Sequence, residues 1–182
     1  GEEKHGIDFD TVMKFCELLN EEFPDGVVNV VTGYGSEVGD YLVTSADVDK
    51  VSFTGSVPTG LMISQKAGMK KVTLELGGND PMIVLKDADI DKAIKGVING
   101  AFLNAGQVCM GVKRIIIDES IADEFVQKLV VATEKLVMGN PQDSKTTLGT
   151  LISKKAAIQV EQAVNDAVEK GAKILTGGNR ED

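Results

Sequence analysis

The chain has 182 residues, and 42% of them are hydrophobic, which excludes a disordered polypeptide and a small disulfide scaffold. With 19 basic and 28 acidic residues its formal net charge is -9, which argues against nucleic acid as a partner because a phosphate backbone binds basic surfaces. Cys16 and Cys109 are the only cysteines and no apolar run is long enough to span a bilayer, so we expect a cytoplasmic protein without a membrane partner.

The first half of the chain alternates between helical and strand patterns. Apolar residues within 9–23 follow helical spacing after Asp8, which predicts one amphipathic helix with an N-cap. A brief helix is predicted over residues 37–42, and another after Ser56, because the first helical turn tolerates Pro58. The predicted strands of this half are 27–31, 51–54 and 71–76.

The second half repeats this alternation. Helices are predicted at 87–102, 119–136 and 153–170, and Gly171 is a plausible C-cap for the last of them. Strands are predicted at 82–85, 113–117 and 173–175. Strands separated by helices are typical of parallel sheets, in which each crossover helix covers one sheet face. The predicted fold class is therefore α/β with a parallel sheet.

Two glycine-containing loops are candidates for binding a phosphate. Residues 33–39 resemble the dinucleotide-binding fingerprint, but they have one residue too many before the third glycine, and the next strand carries no acid for a ribose. The loop with Thr54, Gly55 and Ser56 joins a strand directly to a helix N-terminus, where free N–H groups and the helix dipole favour a pyrophosphate. We favour this second loop, although a tight turn with a capping serine explains the same spacing.

Cys109 and Glu75 are the candidate catalytic residues. Cys109 follows a helix in a glycine-containing loop, where its backbone N–H is free to stabilise an oxyanion and where Lys113 and Arg114 are near in sequence. Glu75 ends a β-prone run before two glycines, where a poorly solvated carboxylate suits a general base. The alternatives are a buried structural cysteine and an exposed glutamate on an edge strand. The single histidine, His5, lies near the chain end, so a carboxylate has to serve as the base.

Three segments resemble, in order and spacing, signature motifs of the NAD(P)-dependent aldehyde dehydrogenase superfamily. They are Phe53-Thr-Gly-Ser56, Leu74-Glu-Leu-Gly-Gly78 and Phe102-Leu-Asn-Ala-Gly-Gln-Val-Cys109. The 34 positions between Glu75 and Cys109 match the spacing of the family's glutamate and cysteine. The resemblance implies the C-terminal part of a Rossmann-like cofactor domain over residues 1–78 and the N-terminal part of an α/β catalytic domain over residues 79–182.

The resemblance also implies a role for each site residue. Cys109 would attack a small aldehyde to give a thiohemiacetal and then a thioester, and Glu75 would activate the water that hydrolyses it. NAD or NADP is the implied cofactor, and no metal site is predicted. The implied cofactor-binding residues are Thr54, Gly55 and Ser56 at the pyrophosphate, and Leu76 and Gly77 near the nicotinamide.

The chain also departs from the family pattern. Family members are more than twice as long and include an upstream oxyanion asparagine, a Glu-x-Phe-Gly-Pro motif and an oligomerisation segment, none of which is found in these residues. We therefore expect a homo-oligomer for the full-length form and no activity for the isolated 182-residue chain. The alternative is a non-catalytic nucleotide-binding or structural remnant of such an enzyme.

Two segments bear on the substrate. Residues 76–81 and Val112-Lys-Arg114 resemble branches of the family that act on lactaldehyde, glyceraldehyde 3-phosphate or phosphonoacetaldehyde. Lys113 is a candidate for contacting an anionic substrate, with an exposed structural lysine as the alternative, and Arg114 is interpreted as a structural ion-pair partner.

Overall fold

The computed structural model describes residues 9–180, which divide into two compact units, one ending at Gly77 and the other beginning at Gly78. Each unit contains one two-stranded parallel sheet. Parallel neighbours cannot be joined by a tight hairpin and need a crossover connection, and in both units a helix provides it. The prediction of an α/β fold with parallel strands is therefore confirmed.

The first unit is built around a β–α–β arrangement. Its helices are α1 (Phe9–Glu22), α2 (Asp40–Thr44) and α3 (Val57–Lys66), and its strands are β1 (Lys50–Thr54) and β2 (Lys71–Glu75). A π-helical turn, Gly35–Gly39, precedes α2. The core consists of Val43, Ile63 and Ala67, against which Phe53 of β1 and Leu74 of β2 pack as directly paired residues. The apolar stripe of α3 thus covers one face of the sheet.

The second unit repeats the β–α–β arrangement and adds two helices. Its strands are β3 (Asp80–Val84) and β4 (Val112–Ile117), and its helices are α4 (Ile90–Phe102), α5 (Ala122–Thr133) and α6 (Lys154–Glu169). The core cluster contains Val84 of β3, Ile94 and Val97 of α4, and the fully buried Phe125 of α5. This core fixes the end of α4, from which the segment with Cys109 departs.

Three helices begin with a side-chain cap. Ser56, Asp89 and Ser153 each accept a hydrogen bond from the backbone N–H three residues later. For Asp89, this bond from the Lys92 N–H holds the pKa of the carboxyl below its ordinary value. Gly171, with φ of +98°, ends α6 as predicted.

Two strand predictions are wrong. Residues 27–31 and 173–175 are irregular, and Val31 and Leu175 are 65% and 58% exposed. Valine and isoleucine favour a strand only where a neighbouring strand completes the hydrogen bonds, and within residues 9–180 no strand pairs with either segment. The predicted helix 119–136 is a 3₁₀ turn, Glu119–Ile121, followed by the shorter α5.

The predicted N-cap Asp8 lies outside the described residues. None of the helices that the structure describes has both the length and the apolar character needed to cross a membrane.

Candidate active site

The turn between β1 and α3 contains the three predicted pyrophosphate residues. Thr54 is the last residue of β1, and Ser56 is the N-cap of α3. The Ser56 hydroxyl lies 2.8 Å from the Thr59 hydroxyl and accepts the Thr59 N–H at 3.4 Å. All three turn residues are exposed, so the positive end of the α3 dipole faces solvent. Such a helix N-terminus can hold a phosphate group.

Gly55 connects this turn to the end of β2. Its N–H donates to the Glu75 carbonyl at 3.0 Å, which continues the β1–β2 ladder by one residue. A Cβ on Gly55 would collide with the ring of Phe53, so only glycine fits here without a shift. The missing side chain leaves the backbone open to close approach by a ligand.

Leu76 and Gly77 pack next to the first turns of α3. A Cβ built on Gly60 would lie 2.5 Å from Leu76 Cδ2, and one on Gly77 would lie 3.9 Å from Val57 Cγ2. The structure therefore brings the five predicted cofactor-binding residues together where β1 and β2 end. The carboxyl ends of parallel strands are where open α/β sheets bind ligands.

The competing glycine loop lacks the required context. Residues 35–39 form a π-helical turn that leads into the five-residue α2, and no strand precedes it among the described residues. The dinucleotide fingerprint needs a strand before the glycines and a long helix after them. An open pocket lined by Asp49, Lys66 and Lys70 also lies in this unit, but at the opposite end of α3 from Ser56.

Glu75 is the last residue of β2 and is exposed. The poor solvation that we expected from its apolar neighbours is therefore not found, because the alternation of the strand turns its side chain away from the half-buried Leu74. Its carbonyl holds the Gly55 N–H at 3.0 Å. Glu75 belongs to the first unit, as do the predicted cofactor residues, whereas Cys109 belongs to the second.

Cys109 is an exposed free thiol at the corner of a tight turn. The Gly111 N–H donates to the Val108 carbonyl at 3.2 Å, which places Cys109 and Met110 at the two corner positions. Cys109 is therefore not a buried structural cysteine, and its sulfur is accessible to a reactant.

The segment before Cys109 has an uncommon backbone conformation. Asn104 and Ala105 have φ of 51° and 55°, and Gly106 has 77°, so three successive residues are left-handed. Each such non-glycine residue costs about 1–2 kcal/mol, which surrounding contacts have to offset. The Gln107 side chain provides them by donating to the Asn104 carbonyl at 3.0 Å and accepting the Ile152 N–H at 2.8 Å. Backbone strain of this kind is concentrated at functional sites.

Lys113 holds the other side of this segment, whereas Arg114 bonds to a residue outside it. Lys113 Nζ donates to the carbonyls of Val108, Cys109 and Gly111 at 2.9, 3.1 and 3.0 Å. Arg114 donates twice to the Asn79 carbonyl, at 2.9 and 3.1 Å, so its role is structural, with a carbonyl rather than a carboxylate as partner. Neither the Gln107 nor the Lys113 contacts were anticipated from the sequence, because side-chain bonds to loop carbonyls leave no periodic signal.

Comparison with known proteins identifies the family of this chain. The sequence profile of the Aldehyde dehydrogenase family matches residues 10–182. A lactaldehyde dehydrogenase of Methanococcus aeolicus is 49% identical over 164 residues, which cover 90% of this chain and 35% of that protein. A 3-sulfolactaldehyde dehydrogenase of Priestia aryabhattai is 48% identical over 170 residues, covering 93% of this chain and 36% of that protein. The chain thus spans about a third of the length of these curated relatives.

Solved structures agree with this result. Glyceraldehyde-3-phosphate dehydrogenase from Methanocaldococcus jannaschii, solved with NADP, superposes with a TM-score of 0.91 at 45% identity, covering 94% of this chain and 39% of that one. Betaine aldehyde dehydrogenase from Staphylococcus aureus, in complex with NAD+, gives 0.91 at 39% identity, covering 94% and 35%. These matches confirm the expected fold class, with its Rossmann-like parallel sheet, and the family resemblance of the three motifs. The chain belongs to the aldehyde dehydrogenase family.

Proposed function

We propose that this chain carries the nucleophile, the hydrolytic base and part of the cofactor site of an NAD(P)-dependent aldehyde dehydrogenase. The observation that carries the proposal is the exposed Cys109 thiol, held at the corner of a turn within a chain that matches the family from residue 10 to residue 182. A nucleophilic cysteine needs this accessibility, and a structural cysteine does not.

The proposed reaction uses the two candidate catalytic residues in sequence. The Cys109 thiolate adds to the aldehyde carbonyl carbon, and the resulting thiohemiacetal oxyanion accepts a hydrogen bond from the Cys109 N–H. Loss of hydride from that carbon leaves a thioester on Cys109. Glu75 then takes a proton from water, the hydroxide attacks the thioester, and the carboxylic acid leaves as the thiol is regenerated.

The first unit supplies part of the cofactor site. NAD or NADP, when bound, provides the hydride acceptor. The exposed helix N-terminus after Thr54, Gly55 and Ser56 suits a pyrophosphate, and the absence of a Cβ at Gly55 permits close approach. We assign Leu76 and Gly77 to the nicotinamide side. Similar enzymes bind NAD+ in one case and NADP in the other, and both remain candidates.

The names of the relatives indicate a class of substrate. Lactaldehyde and 3-sulfolactaldehyde both carry a hydroxyl on the carbon next to the aldehyde, so we propose a small 2-hydroxyaldehyde as the substrate.

We assign residues 1–78 to the cofactor domain and 79–182 to the catalytic domain, which the division after Gly77 supports. A cytoplasmic location, which the two free thiols favour, and a homo-oligomeric full-length form complete the proposal.

Replacing Cys109 with serine in the whole protein tests the proposal. Aldehyde oxidation is expected to fall by at least about 10³-fold, because the hydroxyl is a far weaker nucleophile without a matched base. Cys16→Ser, in which the half-buried thiol of α1 is changed, is the matched control and should retain activity. Activity that survives Cys109→Ser would remove Cys109 as the nucleophile.

Glu75→Gln separates the two chemical steps. A rapid burst of NAD(P)H should persist while steady-state turnover slows by about 10²-fold or more, because only thioester hydrolysis needs the base. Stopped-flow absorbance measures both phases. If the burst of NAD(P)H slowed as much as the steady-state turnover, Glu75 would act in a step before thioester hydrolysis.

A further inference from the structure

The ammonium group of Lys113 is surrounded by main-chain carbonyls of the loop that carries Cys109. Its Nζ donates to the oxygens of Val108 at 2.9 Å, Cys109 at 3.1 Å and Gly111 at 3.0 Å. A lysine ammonium has three N–H donors, so these bonds use all of them. Lys113 is therefore a fixed part of the loop and not a free cation for an anionic substrate, which was one of the roles considered from the sequence.

Asp80 supplies the matching negative charge. Its Oδ2 lies 3.6 Å from Lys113 Nζ and is buried, although the side chain as a whole is 45% exposed. This oxygen has no hydrogen-bond partner among the described residues, which follows from the full use of the ammonium donors. The two groups interact through charge, and that charge compensates an oxygen atom shielded from water. Asp80 in turn favours the position of the ammonium beside the loop.

The hydrogen bonds to the Val108 carbonyl determine the direction of the N–H of Cys109, the proposed nucleophile. The C=O and N–H of a trans peptide point in opposite directions. The Val108 carbonyl accepts from Lys113 Nζ at 2.9 Å and from the Gly111 N–H at 3.2 Å, so the Cys109 N–H faces away from both donors. The hydrogen bond that closes the turn does not use the N–H of the first corner residue, Cys109. This N–H thus has a defined direction.

We propose that Lys113 is a positioning residue that orients the Cys109 N–H as the oxyanion donor, with Asp80 holding the ammonium in place. This inference rests on the proposed function, in which an oxyanion forms on the thiohemiacetal at Cys109. Lys113 acts through the loop backbone and contacts neither substrate nor cofactor. Its three bonds orient the backbone of Val108, Cys109 and Gly111 before a reactant arrives, which is the preorganisation that electrostatic stabilisation of a transition state requires.

The test compares two reactions of Cys109 in Lys113→Met, made in the whole protein. The kcat/KM for aldehyde oxidation should fall about 100-fold, because a Cys109 N–H that is no longer oriented loses much of the stabilisation that an oxyanion donor provides, and complete removal of such a donor costs about 10²–10³ in rate. The limiting rate of Cys109 alkylation by iodoacetamide at alkaline pH should stay within about threefold of wild type, because this displacement forms no oxyanion. Lys95→Met, at an exposed position of α4, is the matched control and should change neither rate.

Two results would overturn the inference. One is a kcat/KM in Lys113→Met within about threefold of wild type, which is far below the effect of a lost oxyanion donor. The other is an alkylation rate that falls as far as kcat/KM, because the lysine would then support the general structure of the loop and not the oxyanion donor.

Asp80→Asn keeps the inference testable if Lys113→Met does not fold. It removes the charge but not the lysine, so kcat/KM should fall about tenfold with alkylation unchanged. An unchanged kcat/KM in Asp80→Asn would contradict the proposal. Cys109→Ser separates a failure of the proposed function from a failure of the inference about Lys113. If Cys109→Ser stays active, the proposed function is wrong. If Cys109→Ser is inactive while Lys113→Met has normal activity, only the inference is wrong.

Discussion

The two candidate regions of this molecule are held by different kinds of interaction. The cofactor turn, residues 54–56, depends on regular main-chain structure: its Gly55 N–H extends a parallel ladder, and Ser56 caps a helix. The cysteine loop, residues 103–111, depends on side chains that donate to carbonyls, chiefly from Gln107 and Lys113. The comparison teaches that the turn is specified by local rules, whereas the strained backbone of the loop depends on side-chain bonds, one of which joins Gln107 to Ile152, 45 positions away.

The adjacent residues Gly77 and Gly78 provide the test with the largest expected effect on the difference between the turn and the loop. A Cβ on Gly78 would lie 2.7 Å from the Cys109 carbonyl oxygen and 2.5 Å from Asp80 Oδ2, whereas one on Gly77 would meet only Val57 Cγ2, at 3.9 Å. Gly78→Ala should lower the free energy of unfolding by about 2–3 kcal/mol, because the carbonyl it meets is backbone and cannot turn aside. Gly77→Ala should stay within about 1 kcal/mol of wild type.

Urea denaturation of both variants measures these changes. Equal destabilisation by the two alanines would mean that the cysteine loop is no more closely packed than the end of β2.

Ser56→Ala tests the local character of the cofactor turn. Loss of the N-cap should lower the free energy of unfolding by about 1 kcal/mol, the usual value for a serine cap, since α3 keeps its other contacts. Ser64→Ala, at an exposed position inside the same helix, is the control and should be neutral or slightly stabilising because alanine favours a helix. A loss well above the usual value would show that the turn also depends on tertiary contacts.

Ala105→Gly has the smallest expected effect, and it should raise the free energy of unfolding, which Gly78→Ala and Ser56→Ala lower. Ala105 has φ of 55°, which glycine adopts without steric cost, so the variant should be more stable by up to about 1 kcal/mol. Ala101→Gly, inside α4, is the matched change at a helical position and should be less stable by about 0.5–1 kcal/mol. Thermal unfolding of the pair measures the difference, and destabilisation by both would argue that Ala105 is not strained.

The sequence predicted most of the elements close to the two sites. β1, β2, α3 and α4 were expected from periodicity and capping signals, and the structure has them within a few residues of their predicted ends. The two wrong strands, 27–31 and 173–175, contain β-branched and other apolar residues, as the correct strands do. Strand formation requires a partner for the ladder, and composition does not say whether one is present.

By itself the sequence determined the α/β class, the family, and the turn that presents Thr54, Gly55 and Ser56, because periodicity, caps and motifs depend on residues close together in the chain. Only the tertiary structure decided that Glu75 is exposed, that Asn104 and Ala105 are left-handed, and that Lys113 uses all its donors on the loop of Cys109. The conformation of the cysteine loop depends on contacts such as those from Gln107 to Ile152 and from Lys113 to Asp80, which join residues 45 and 33 positions apart. The direction of a loop carbonyl is set by such partners, and no local pattern records them.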